Sequence, residues 1–255
     1  MNQTKHEDKA TYKATHTPEK IADRLQDGPS SVYLKDFVYG AVDGAVTTFA
    51  VVAGVAGAGM SAGVIIVLGF ANLLADGFSM AVSNYLGTRA ENQFRAETRK
   101  REQDEIHKWP EGEREEVRQI YALKGFEGEL LDQVVEVITD DHERWIDTML
   151  LEEHGMTLQD HHPGKAGLAT FVAFSLVGLI PLLPYLLNWV SPGAVVNAFF
   201  WSSTLTGAAF LWVGAVKARF VNQSRFVGAV ETVGIGGIAA VLAYGAGVLL
   251  KGLVE

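Results

Sequence analysis

Two apolar runs, residues 37–87 and 166–250, constrain this 255-residue chain more than any other feature. Between them they hold five windows long enough to cross a bilayer, for which roughly 20 apolar residues are needed. In hydrocarbon, every backbone polar group must be satisfied within the protein. Windows of this length and spacing therefore predict an all-α membrane protein with five transmembrane helices. The charge is concentrated elsewhere. From Arg89 to Gly164 there are 20 Asp and Glu against 10 Lys and Arg, which accounts for the net charge of −9. That acidity points to cations as partners and argues against nucleic acid.

The sequence divides into four parts. Residues 1–35 read as a polar, flexible or surface-lying arm, with a short amphipathic helix near 18–25 as the lesser alternative, and with no apolar core of the kind a secretory signal needs. Residues 36–88 hold spans one and two, at about 36–58 and 62–86, joined by a tight uncharged connection at Gly57 to Ser61. Residues 89–164 form a soluble insert of three expected helices, ending near Lys108, at 112–124 and at 127–154. Residues 165–255 hold spans three to five, at about 166–187, 193–216 and 226–250, with Pro181 and Pro184 interrupting the first of these. There is no cysteine, so disulfides and thiolate metal sites are excluded. Lys and Arg fall in the tail, in the insert and at 217–225, while the other two loops have none. The positive-inside rule places tail and insert in the cytoplasm and the C-terminus outside.

Carboxylates inside the spans carry the functional signal. Asp43 sits in Gly40-Ala-Val-Asp-Gly44, a small-xxx-small pattern that permits close helix approach. Asp36 lies two turns earlier on the same face. The second span carries Asp76, Met80 and Asn84 at steps of four, which puts them on one face. Neither Asp43 nor Asp76 has a basic neighbour in sequence, and an ionisable group within a span marks a pathway or site. Glu231, early in the last span, fits an interfacial role equally well.

The insert offers a second constellation. Carboxylates three or four apart on a helix can share one divalent ion. Glu102 and Glu105, then Glu113 and Glu116, occur as such pairs along it, and the third helix offers Met149 and Glu153 four apart. Packed as a bundle, these pairs can converge. His107, His142, His154, His161 and His162 are further imidazole donors, with nothing in their spacing to choose among them. A di-iron oxidase bundle needs Glu-x-x-His on two helices. The sequence has none; Asp104-x-x-His107 is the nearest approach.

Asp36-Phe-Val-Tyr-Gly-Ala-Val-Asp-Gly-Ala-Val-Thr-Thr-Phe-Ala-Val-Val-Ala-Gly54 resembles the first span of the vacuolar iron transporter family. Ala75-Asp-Gly-Phe-Ser-Met-Ala-Val-Ser-Asn-Tyr85 resembles its second-span motif, and the Gly234-Ile-Gly-Gly-Ile-Ala-Ala run looks like its last span. The resemblance covers about residues 33–255 and fits a bacterial-type member in an inner membrane. It implies a homodimer whose first spans meet at the two-fold axis. It also implies a membrane metal site of Asp43 and Met80 with Asp36 at its cytoplasmic mouth, and Glu102, Glu105, Glu113, Glu116, Met149 and Glu153 as ligands in the insert. Many relatives carry glutamate, in Gly-Glu-Tyr, where this chain has Asn84. Asp76 is extra relative to many of them and is placed to take over that role.

The expected function is therefore export of Fe²⁺ or Mn²⁺ from the cytosol by proton antiport, serving detoxification and homeostasis. Zn²⁺ and Co²⁺ are further candidate ions, and no prosthetic group or enzyme activity is expected. The rival reading is a membrane-anchored metal sensor or store, in which the spans only anchor an acidic insert. Polar stripes inside two spans argue against mere anchoring.

Overall fold

The computed structural model describes residues 14–27, 33–220 and 223–253. Residues 1–13 and 28–32 of the tail, and 221–222 of the basic loop, lie outside the described residues. Among the described residues the chain is helical, with no strand. The tail helix α1, Pro18–Asp27, is amphipathic, where the sequence reading favoured a flexible or surface-lying arm.

The centre of the bundle is α2, Leu34–Gly57, which touches α3 (Ala62–Lys108), α7 (Pro163–Gly178), α9 (Ala198–Phe220) and α10 (Arg225–Leu250). Its inward face is made of small residues. Ala41, Ala45, Val52 and Ala53 are almost wholly buried. The Gly40–Gly44 pattern is used against α7. A Cβ on Gly40 would strike the Thr170 carbonyl oxygen, and one on Gly44 would lie 2.8 Å from the Phe174 Cα. Contacts this close let backbones pack where no hydrophobic force drives association.

Five segments contain windows long and apolar enough to cross a membrane: Leu34–Gly57, Ala62–Lys108, Pro163–Val190, Ala198–Arg219 and Arg225–Leu253. The third is interrupted as its prolines predict. Helix α7 ends at Gly178, a 3-10 turn covers Ile180–Leu182, and α8 resumes over Leu183–Val190. The freed Pro181 carbonyl accepts from the Ser202 hydroxyl at 2.6 Å. Outward faces remain apolar and uncovered, as with Leu74 and Phe78 on α3 and Ile238 and Val241 on α10.

Two expectations about the insert need correction. Its first helix is not separate: α3 is one helix of 47 residues running out of the second span. Nothing between Leu86 and Arg89 breaks the backbone ladder, and Glu, Arg, Gln and Ala beyond it are good helix formers. Trp109 then caps α3, and Pro110 starts α4, Pro110–Leu123. The segment 127–154 is two helices, α5 (Gly128–Thr139) and α6 (His142–Glu152). Asp141 caps α6 by accepting from the Arg144 N–H at 2.9 Å, which a short acidic side chain does well.

The insert has its own core. Ile106 of α3, Val117 of α4, Leu131, Val135 and Ile138 of α5, and Trp145, Ile146 and Leu150 of α6 cluster together. Leu130, beside this core on α5, is more than half exposed. Ion pairs cross the outside: Arg99 reaches Asp147 at 2.6 Å and also pairs with Glu143, and Arg118 reaches Asp132 at 2.6 Å. The returning segment is tied to α3 by Arg95, which donates to the Thr157 carbonyl at 2.9 Å and pairs with Asp160 at 3.1 Å.

Substituting Gly44→Val should destabilise the membrane bundle by about 1–3 kcal/mol or more, because the α7 backbone has no room to yield. Denaturant titration in detergent measures this; an unchanged midpoint would contradict the close α2–α7 packing.

Candidate metal sites in the membrane and the insert

The membrane stripe sits between α2, α3 and α7. Asn72 of α3 donates to the hydroxyls of Thr47 and Thr48 at 3.2 and 3.3 Å. Thr47 in turn donates to the Asp43 carbonyl at 2.8 Å. The Asp43 side chain is half-buried, and Asp76 is on the exposed side of α3. Among the described residues neither has a Lys, Arg or His ion-pair partner. Uncompensated carboxylates within membrane spans are costly, and a cation bound beside them removes much of that cost.

Towards the insert the stripe opens into a cavity of about 710 Å³ whose walls include Asp36, Tyr39, Ser79, Met80 and Asn84. Asn84 organises its inner edge. Its amide nitrogen lies 2.8 Å from Asp36 Oδ1, 2.7 Å from Thr170 Oγ1 and 3.2 Å from the Ala166 carbonyl. A glutamate here would face Asp36 with a second negative charge; the asparagine faces it with a donor. The structure thus gathers Asp36, Met80 and Asn84 at one cavity. Asp43 and Asp76 do not line it.

The second site lies in the insert. Glu102 and Glu105 from α3, Glu113 and Glu116 from α4, and Glu153 with His154 at the end of α6 line a cavity of about 500 Å³. Arg101 and Lys108 also border it. All five glutamates singled out in the insert from the sequence meet here. Met149 does not line the cavity; its side chain is fully buried in the apolar core, one turn before Glu153. His154 is the residue that sequence reasoning left undistinguished. Its only signal was its place directly after Glu153.

Burial makes this cluster unusual. Glu102 is 1% exposed and Glu113 6% exposed, and Oε2 of each has no hydrogen-bond partner. Glu102 Oε1 is 2.8 Å from His154 Nε2. One donor atom each from Glu102, Glu153 and His154 lie within 4.8 Å of one another. Burial, then the charges of Glu116, Glu102, Glu105 and Glu153, push Glu113 up from 4.5 to about 7. Burial and neighbouring carboxylates also raise Glu116 and Glu153, partly offset by His154. Buried carboxylates with orphaned oxygens, crowded by like charges, suit a hard or borderline divalent cation.

A polytopic helical membrane protein with acidic groups in its spans and a carboxylate cage in its soluble part has the form of an ion-handling protein. The family model described as VIT family matches residues 34–248. A vacuolar iron transporter of Toxoplasma gondii is 34% identical over 229 residues, covering 87% of this chain and 76% of that protein. Vacuolar iron transporter 1 of Eucalyptus grandis is 34% identical over 83% of this chain and 84% of its own length. The Arabidopsis thaliana protein of that name is also 34% identical, over 83% of each. The chain belongs to the VIT family, a family of transporters and not of enzymes.

Glu113 sets a pH dependence with a definite sign. Below about pH 7 it holds a proton that a cation must displace. Divalent-metal affinity of the insert should therefore rise from pH 6 to pH 8, and Glu113→Gln should flatten that rise; calorimetric titration across this range checks it. Stability of the metal-free protein should run the opposite way. The folded state holds this proton more tightly than the unfolded one, so stability falls as pH rises from 4.5 through about 7.

Proposed function

We propose that this protein exports Fe²⁺, and Mn²⁺ as a second ion, from the cytosol in exchange for protons. The observation that carries the reading is one helix bearing two acidic sites. Helix α3 brings Glu102 and Glu105 to the insert cage and Asp76, Met80 and Asn84 to the membrane stripe. The relatives' names, vacuolar iron transporters, support iron as cargo. Zn²⁺ and Co²⁺ are further candidates because carboxylate and imidazole donors accept them.

The steps follow from charge and donor type. The insert concentrates the cation from the cytosol. The cavity at Asp36 and Asn84 admits it to the spans. Asp43 and Met80 then hold it, where a thioether favours a softer ion such as Fe²⁺ over Mg²⁺. Protonation of Asp43 or Asp76 from the far side removes the Coulombic hold and releases it. A homodimer joined through α2 doubles the ligand set. Residues 1–35 and 89–164 lie in the cytoplasm and the C-terminus outside, by the distribution of basic residues. An inner membrane and a role in metal detoxification belong to the same reading. The chain then works as a transporter and not as an anchored store.

Reconstitution in proteoliposomes containing a metal-sensitive dye separates these readings. Asp43→Ala should abolish Fe²⁺ uptake, and Asp76→Asn should retain metal flux while losing the accompanying proton movement. Unchanged uptake by Asp43→Ala would remove the assigned membrane site, and no flux by the parent protein would favour the store.

A further inference from the structure

Of the five histidines in the insert and its returning loop, one is built into the acidic cavity. His107, His142 and His162 are exposed, and His161 lines the mouth cavity at the membrane. His154 alone among the described residues joins the group of donor atoms that can hold an ion. It lies just past Glu153, the cap of α6. Its N–H bonds back to the Met149 carbonyl at 3.2 Å, and Gly155 then takes a φ of +63°, turning the chain away. That local geometry fixes the ring between the ends of α3 and α6. Its side chain is 18% exposed, against 2% for that of Glu102.

We infer that His154 is a direct nitrogen ligand in the insert, and that it biases the cage towards borderline transition-metal ions and against purely oxygen-seeking ones. The inference rests on the carboxylate cage being a cation site, as proposed above. Three observations carry it. Nε2 lies 2.8 Å from Glu102 Oε1, and two donor atoms bound to one cation at octahedral angles lie about 3 Å apart. The other oxygen of Glu102 is buried with no partner, as is one oxygen of Glu113, so the pair faces unsatisfied acceptors instead of a completed network. A Glu153 oxygen completes the triangle within 4.8 Å.

The consequence is chemical. A cage of carboxylates alone binds Mg²⁺, Ca²⁺ and Mn²⁺ by charge and size. One imidazole shifts preference towards Fe²⁺, Co²⁺ and Zn²⁺, which gain more from nitrogen. A cytosolic capture site exposed to abundant Mg²⁺ needs such a bias, because acidic groups alone do not provide it. The bland alternative is that His154 is only a hydrogen-bonding partner that lets Glu102 be buried. A glutamine at 154 keeps an N–H donor for Glu102 but is a poor transition-metal ligand, so it tells the two roles apart.

The test is calorimetric titration of the full-length protein in detergent with Co²⁺, Zn²⁺ and Mn²⁺, comparing the parent chain with His154→Gln and Glu102→Gln. Loss of outer-shell partners alone costs metal sites about 10–100-fold. His154→Gln should therefore weaken Co²⁺ and Zn²⁺ by at least about tenfold and Mn²⁺ by clearly less, and the visible spectrum of bound Co²⁺ should shift to longer wavelength. Equal losses for all three ions, or an unchanged Co²⁺ spectrum, would overturn the role of His154 while the cage reading stands if Glu102→Gln still weakens binding. Binding of all three ions unaffected by both substitutions would overturn the cage itself, and the inference with it.

Discussion

The uninterrupted backbone ladder of α3 is the constraint on which both sites depend. A helix of 47 residues spans about 70 Å, enough to cross a membrane and continue well beyond it. With no hinge between Leu86 and Arg89, the membrane stripe and the wall of the insert are parts of one rigid rod. Asn84 and Glu102 are separated by about five full turns, so they lie on the same face. The face that carries Met80 and Asn84 into the mouth cavity therefore also presents Glu102 to the cage. The insert is oriented over the membrane bundle by helix phase, and Arg95 with Asn92 tie the returning segment to the same rod.

Charge is sorted along this rod by whether it has a partner. Outside the insert core, acidic residues meet bases: Asp147 and Glu143 with Arg99, Asp132 with Arg118, Glu152 with Lys124. Such exposed pairs contribute little each, about 0–1 kcal/mol. In the cage the carboxylates share one cavity instead, and Asp43 and Asp76 have no basic ion-pair partner among the described residues. The local acidity read from the sequence thus includes one group ion-paired at the surface and another gathered in a shared cavity. Hydrophobic packing supports the second group. Ile106, Val117 and Met149 fill the core of the helices whose ends carry Glu102, Glu113 and Glu153.

Much of this was legible in the sequence because periodicity and charge are local signals. The five spans, the proline break in the third, the polar stripe and the convergence of five glutamates all follow from spacing. What the sequence hid depends on three-dimensional context. The absence of a stop signal after Leu86 was readable only as a change of composition, so continuity of α3 was missed. The break at Asp140 and Asp141 rests on a cap that competes with a strongly periodic apolar pattern on both sides. Met149 sits at ligand spacing from Glu153, but its side chain points into the core. His154 was one histidine of five until folding placed it against Glu102. Asn84 read as a departure from a family motif, and its bonds to Asp36 and Thr170 show why an amide fits there.

The central claim is a division of labour: the cage captures the ion and the membrane carboxylates carry it. Initial uptake rate against Fe²⁺ concentration, for the parent chain and Glu113→Gln in sealed vesicles, measures this most directly. The account predicts a raised half-saturating concentration with the maximal rate retained. A reduced maximal rate at an unchanged half-saturating concentration would contradict it.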